Sequence, residues 1–246
     1  MQGEKLMKLE TKRFLELIAE HTDMLIDVVM INHQGLIDRA SGKRICLADS
    51  VTFEEAYSIL INENAWWKNH KRKENLYFCW SRKNKGFNIA SVDDITGAYA
   101  EAFIQKNHLA LIKTSEGKHQ GLFKLDRYVS SQELLEIQRT LTSLYHGDKG
   151  ATGAYQLKRL VGFANTKYSD MPIVSLEHTG DSVISVDKIM AFIQEQKKKQ
   201  EKEIEKKLQS INRNRIIQGE IKQWIDFYDG DESTTDMKYA LHLLRR

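Results

Sequence analysis

Apolar residues first recur at helical spacing in "RFLELIAEH", where Phe14, Leu15, Leu17 and Ile18 fall on one side and predict an amphipathic helix. After Asp23 the texture changes: "MLIDVVMINHQGLIDRASGKRI" is rich in β-branched residues and broken by Gly35 and Gly42, which predicts short strands joined by turns. "TFEEAYSIL" predicts a second helix, with Thr52 and Glu55 at the spacing of a reciprocal capping box, and Trp66 and Trp67 follow it. "NLYFCWS", "FNIASVDD" and "LALIKTS" read as strands, with "TGAYAEAFIQKN" as a helical connection between the last two. "TSEGKHQG" reads as a hairpin turn that needs Gly117. "SSQELLEIQRTLTSLYHGD" places Leu134, Leu135, Ile137, Leu141 and Leu144 on a helix capped by serine and ending near Gly147.

Near residue 190 the pattern loses its apolar face. "IMAFIQEQKKKQEKEIEKKLQSINRNRIIQ" keeps helix formers but has no apolar side chain between Ile193 and Ile204, which predicts a connecting helix exposed on all sides. Glu195 with Lys199, and Glu203 with Lys207, are spaced for supporting ion pairs. "EIKQWIDFYDG" and "STTDMKYALHLL" then read as the start of a small helical module that looks cut short. Mixed strands and helices followed by this change of texture predict an α+β fold. The expected division is a domain over 1–190 with a mixed β-sheet and flanking helices, a connecting helix over 191–218, and a C-terminal helical segment over 219–246.

Composition narrows the class. A single proline in 246 residues argues for regular structure. Cys46 and Cys79 form no CxxC pair, and the N-terminus has no apolar run behind its charges, so a reducing, cytoplasmic setting is expected. No run approaches the roughly 20 apolar residues of a membrane span. The net charge of +3 is too small to imply a nucleic-acid partner by itself, but positive charge is concentrated with aromatics in "WWKNHKRKENLYFCWSRKNKG".

Several short stretches carry candidate chemistry, each with a plainer alternative. Asp93 and Asp94 in "SVDDI" end a strand, where twist can bring both carboxylates to one hard divalent cation; the plainer reading, favoured when the stretch is taken alone, is a cap for the helix that follows. Asp148 in "YHGDKGATG" is either a third carboxylate or an Asx-turn former between Gly147 and Gly150. His119 is either an exposed turn residue or, with Ser115 and Lys118, aimed at a ligand. Lys158, Arg159 and Lys167 in "KRLVGFANTK" form a basic strand edge or a triphosphate grip. In the basic aromatic stretch, Trp66 or Trp67 with Lys68, Lys71 and Arg72 are candidates for stacking and phosphate contact. Tyr77 and Trp80, or alternatively Phe78 and Cys79, are expected in the core, because only one face of that strand should point outward.

The order of these signals, an acidic pair, a TS-x-G-x-H-Q hairpin, a GD loop and then an RL-x-GF-x-N-x-K strand-turn, resembles the RepB-like plasmid primases of the archaeo-eukaryotic primase superfamily. The resemblance runs from about Asp27 to the final helices, and "LTSLYHGDKGATGAYQLKRLVGFANTK" is its most specific block. It departs mildly at "NTK" and "LVG", where relatives often read "NRK" and "L(A/P)G". The resemblance implies a primase-like catalytic domain in which Asp93, Asp94 and Asp148 bind Mg²⁺ or Mn²⁺ in a two-metal site. It also places His119 where the superfamily has a histidine near the nucleotide phosphates, although some plasmid members lack it, and Arg159 and Lys167 on the incoming triphosphate. The expected function is DNA-dependent primer synthesis on single-stranded DNA from nucleoside triphosphates, serving a plasmid or mobile element, with a replicative helicase or relaxase as a further candidate partner. The alternatives are a non-catalytic single-stranded nucleic-acid-binding initiator module and another metal-dependent nucleotidyltransferase or nuclease.

Overall fold

The computed structural model describes residues 2–32 and 44–215, together with Asp236, Lys238, Tyr239, Ala240 and Leu243. The predicted turns around Gly35 and Gly42 and the helix "EIKQWIDFYDG" lie outside the described residues; Asp236, Lys238, Tyr239, Ala240 and Leu243 of the last predicted helix are helical. By internal packing the chain divides into two units, Met1–Met190 and Ala191–Arg246.

Two antiparallel sheets organise the first unit. One has the order β2-β1-β3-β7, built from β1 (Ile26–Asn32), β2 (Arg44–Val51), β3 (Glu74–Trp80) and β7 (Lys158–Arg159). The other has the order β4-β6-β5-β8, from β4 (Phe87–Ile95), β5 (Ala110–Ser115), β6 (Lys118–Val129) and β8 (Ser175–Thr179), with the short β9 (Val183–Ile184) parallel to β6. The α+β reading holds. Helix α1 (Gln2–Ala19) is longer than its apolar pattern, and only its second half carries a fully buried stripe, Phe14, Leu15 and Ile18. Helices α2 (Phe53–Asn62) and α5 (Ser131–Leu144) start at capping boxes: Thr52 with Glu55 and Ser130 with Glu133 each satisfy backbone N–H groups in both directions. Loss of such a cap costs about 1 kcal/mol.

Two elements depart from the sequence reading. The WW stretch forms its own helix, α3 (Ala65–Arg72), bounded by left-handed Asn64 and Lys73; it has neither a side-chain cap nor a clean apolar period to announce it. Strand β3 was expected to have one outward face, yet every residue from Glu74 to Trp80 except Tyr77 is buried. The reason is its central position between β1 and β7, with Phe14 of α1 set edge-on against Phe78 on one face. Alternation puts Phe78 and Trp80 together on that face and Tyr77 with Cys79 on the other. Helix α4 (Ala98–Gln105) begins at Gly97, so Asp93 and Asp94 do not cap it.

In the second unit, helix α6 (Val186–Arg215), which starts in the first, continues with residues 197–207 all exposed, and Glu195 reaches Lys199 at 2.7 Å. No helix among the described residues is long and apolar enough to cross a membrane.

Candidate active site

The site begins with a fault in β4. Pairing with β6 is regular from Ile89 opposite Lys124 through Val92 opposite Gly121, then slips, so that Ile95 rather than Asp94 lies opposite His119. Neighbouring residues of a regular strand face opposite ways; one extra residue, with Asp94 in the left-handed region at φ 57°, turns both carboxylates into the same cavity. The third acid arrives on the loop after α5. The Asp148 N–H donates to the Asp93 carbonyl at 2.9 Å, and Gly147 makes the approach feasible, since a Cβ there would stand 2.4 Å from Val92 Cγ1 and 2.5 Å from the Asp93 oxygen. Asp148 Oδ1 also accepts the Gly150 N–H at 2.8 Å, so the residue forms the expected Asx-turn and lines the cavity at the same time.

The three aspartates line one cavity of about 400 Å³ where the two sheets meet. Ile31, Tyr77 and Arg159 come from the first sheet; Asp93, Asp94, Thr114, Ser115, Lys118 and Gln120 come from the second. Asn165, Lys167 and Tyr168 close another side. Period-two alternation sorts the adjacent candidates. Lys118 and Gln120 face the cavity, whereas His119 between them faces away, with Nε2 2.5 Å from Glu177 Oε2 and Nδ1 3.3 Å from the Ile95 carbonyl oxygen. His119 is therefore neither an exposed turn residue nor directed at the cavity, which corrects its expected contact with nucleotide phosphates. The turn itself is as expected, two residues with Gly117 at φ 66°.

The same alternation separates Lys158 from Arg159. Lys158 is fully buried, its ammonium 4.8 Å from the Trp80 ring centre and 2.9 Å from the Gln156 carbonyl, so it is a core residue and takes no part in a basic edge. Burial pushes its pKa down to about 8. Arg159 faces the cavity instead; its guanidinium lies 5.0 Å from the Tyr77 ring and donates to Asn75 Oδ1 at 2.8 Å.

Gln120 ties these parts together, because its Nε2 donates to Asp93 Oδ1 at 3.1 Å while its Oε1 accepts the Arg159 backbone N–H at 3.0 Å. Asn75 plays a matching part, accepting the Thr166 N–H at 3.0 Å and donating to Thr166 Oγ1 at 2.8 Å, which anchors the segment bearing Lys167. Neither was legible beforehand. Gln120 could have been found by counting two from Lys118 along the strand; Asn75 carries no comparable signal.

Electrostatics favour a cation here. Burial, and then the neighbouring Asp94 charge, raise the pKa of Asp93, so its ionised form needs positive compensation. Lys118 supplies some, with Nζ 2.7 Å from Asp94 Oδ2, and that hydrogen bond holds the ammonium pKa above its ordinary value. Three hard carboxylates converging on one cavity suit Mg²⁺ or Mn²⁺ as a donor set. Among the described residues, no group of three acidic, histidine or cysteine side chains is already closed to metal-binding distance.

The basic aromatic stretch divides sharply. Trp66 is 3 % exposed and stacked on Phe163 at 4.9 Å, so it cannot offer a face to a base; that expectation is corrected by the packing of α3. Trp67 is 46 % exposed, with the Arg72 guanidinium 5.3 Å from its ring, and Lys71 is exposed beside them. Lys68 is ion-paired to Glu63 at 2.7 Å. The end of α3 is fastened to the cavity wall: Asn69 exchanges hydrogen bonds with Ala164, and Thr166 Oγ1 donates to the Lys73 carbonyl at 2.8 Å.

Residues 58–203, well over half of the chain, match the RepB DNA-primase N-terminal domain family. The chain belongs to that family. It is accordingly a DNA primase, a nucleotidyltransferase. No curated protein matches it. Among solved structures, this RepB-family chain is similar to the catalytic domain of primase RepB′ in complex with initiator DNA, at 16 % identity and a TM-score of 0.61 over 78 % of this chain and 98 % of that one. It is also similar to primase RepB′, at 18 % identity and 0.59 over 82 % and 69 %, and to the AEP domain of the cyanophage S-2L primase-polymerase, at 12 % and 0.53 over 72 % and 94 %. At such identities the likeness is one of fold.

Proposed function

We propose that this primase starts short primers on single-stranded DNA by two-metal nucleotidyl transfer, in the replication of a plasmid or another mobile element. The observation that carries the chemistry is the convergence of Asp93, Asp94 and Asp148 on one cavity that also holds Arg159 and Lys167. The role in a mobile element is supported by the sequence blocks shared with plasmid primases.

In this reading Asp93, Asp94 and Asp148 hold two Mg²⁺ or Mn²⁺ ions, whose chemistry when bound is to neutralise charge at the reacting phosphate and to acidify the attacking 3′-hydroxyl. Arg159 grips the triphosphate with a guanidinium pre-aimed by Asn75 and Tyr77, and Lys167 adds a mobile positive charge. Ser115, at the end of β5, offers a hydroxyl on the same wall. Gln120 keeps Asp93 and the Arg159 backbone at fixed spacing, so that the metal and phosphate sides stay in register. The template runs over α3, with Trp67 as a stacking surface and Lys71 and Arg72 on phosphates, Lys68 joining once released from Glu63. Residues 1–190 form the catalytic domain, and α6 connects onward from it.

The test is to incubate the purified chain with single-stranded DNA, labelled nucleoside triphosphates and Mg²⁺ or Mn²⁺, beside Asp148→Asn, and to size the products. New short oligonucleotides from the parent alone support the reading. Equal yield from both proteins removes Asp148 from the chemistry, and shortening of the DNA would make the chain a nuclease.

A further inference from the structure

Of the three cations lining the cavity, Lys118 is the one ion-paired to a carboxylate among the described residues. Arg159 is engaged with Asn75 and Tyr77, and the Lys167 ammonium lies 5.9 Å from the Tyr168 ring. Lys118 is the first residue of β6 after the two-residue turn, and its side chain is 42 % exposed. A lysine stem is long and flexible and ends in a point charge, so its ammonium can leave one oxygen for another within the same cavity without moving the backbone. Its present partner, Asp94, sits at the bulge that brings the acids together, and both residues line the cavity that also holds Arg159 and Lys167. A divalent cation on Asp94 and the Lys118 ammonium carry like charge at one carboxylate, so arrival of the ion repels the ammonium and loosens its hold on Oδ2.

We propose that Lys118 is a built-in counter-cation: it neutralises Asp94 while the site is empty of metal, yields that carboxylate to the incoming ion, and then passes its charge to the triphosphate. This rests on the two-metal reading above. Its consequence is a coupling between metal and nucleotide through one side chain, and such coupling is reciprocal: nucleotide that captures Lys118 frees Asp94 for metal to the same degree. Carboxylate pairing and phosphate pairing are successive states of a single lysine, so its removal has opposite effects on the two ligands.

The experiment uses the full chain, Lys118→Met and Lys118→Arg, with two binding measurements that need no turnover. Mn²⁺ affinity without nucleotide is read by electron paramagnetic resonance of free Mn²⁺. Affinity for a non-reactive nucleoside triphosphate at saturating Mn²⁺ is read by calorimetry. Lys118→Met is expected to bind Mn²⁺ tighter, by about two- to fivefold given the usual strength of a half-exposed ion pair. It is expected to bind nucleotide weaker, by roughly tenfold or more for loss of a charged hydrogen bond. Lys118→Arg should restore most of both. Weaker nucleotide binding with unchanged Mn²⁺ affinity makes Lys118 a plain phosphate ligand and overturns the proposal, as does a change in Mn²⁺ affinity alone. If Asp93→Asn with Asp148→Asn binds Mn²⁺ as well as the parent, the two-metal reading itself has failed, whatever Lys118 does.

Discussion

Replacing Lys158 by methionine is the sharpest test of how β7 is packed. The side chain is fully buried against Trp80 and Phe78, and burial moves its pKa from 10.5 down to about 8. In the unfolded chain the lysine keeps its proton up to about 10.5, whereas the folded protein gives it up near 8. Between those values the unfolded state binds more protons, so folding stability rises with pH across that window and is lost again as pH falls through about 8. At roughly 1.4 kcal/mol per pH unit, the contribution over the window is about 3 kcal/mol. The aromatic rings oppose part of it, because a cation over a desolvated indole gains up to about 2 kcal/mol. Urea unfolding followed by tryptophan fluorescence at pH 7, 8, 9 and 10, on parent and Lys158→Met, isolates the effect, since titrating groups not coupled to Lys158 cancel in the difference. The parent should gain on the variant by about 1 to 3 kcal/mol from pH 7 to 10. A difference that stays flat with pH would refute the reasoning: the ammonium would then keep its proton through the ring contacts or reach water.

Other substitutions separate packing from chemistry. Gly147→Ala drives a Cβ to within 2.5 Å of Val92 and the Asp93 carbonyl, so the Asp148 loop must shift; primer yield should fall by about a hundredfold while circular dichroism stays native. Gln120→Leu loses the bonds to Asp93 and the Arg159 backbone, and primer yield should drop by about tenfold or more with a native melting profile. Trp66→Ala should lower stability by about 3 to 5 kcal/mol in urea. Trp67→Ala should leave stability nearly unchanged but weaken single-stranded DNA binding by about 1 to 3 kcal/mol, read by fluorescence anisotropy. The opposite assignment of these losses would reverse the orientation of α3.

Local chemistry is what sequence alone could decide here. The two capping boxes, the Gly117 turn, the exposed Lys/Glu stretch of α6 and the α+β alternation all depend on residues a few positions apart, and each is present in the structure. The likeness to RepB-like primases was legible because the motifs that carry it follow one another in a set order along the chain. Tertiary structure decided which way the candidates face. Lys118, His119 and Gln120 are equally polar neighbours, yet strand pairing sends the outer two to the cavity and the middle one to Glu177. Lys158 and Arg159 carry the same charge, but one lies in the aromatic core and the other on the cavity wall. Asp93 and Asp94 share a cavity only because a bulge suspends the alternation that would have separated them. Trp66 and Trp67 are identical side chains divided by 100° of helical turn. Side-chain direction depends on register and on the element across the sheet, and those are set by contacts between residues tens of positions apart.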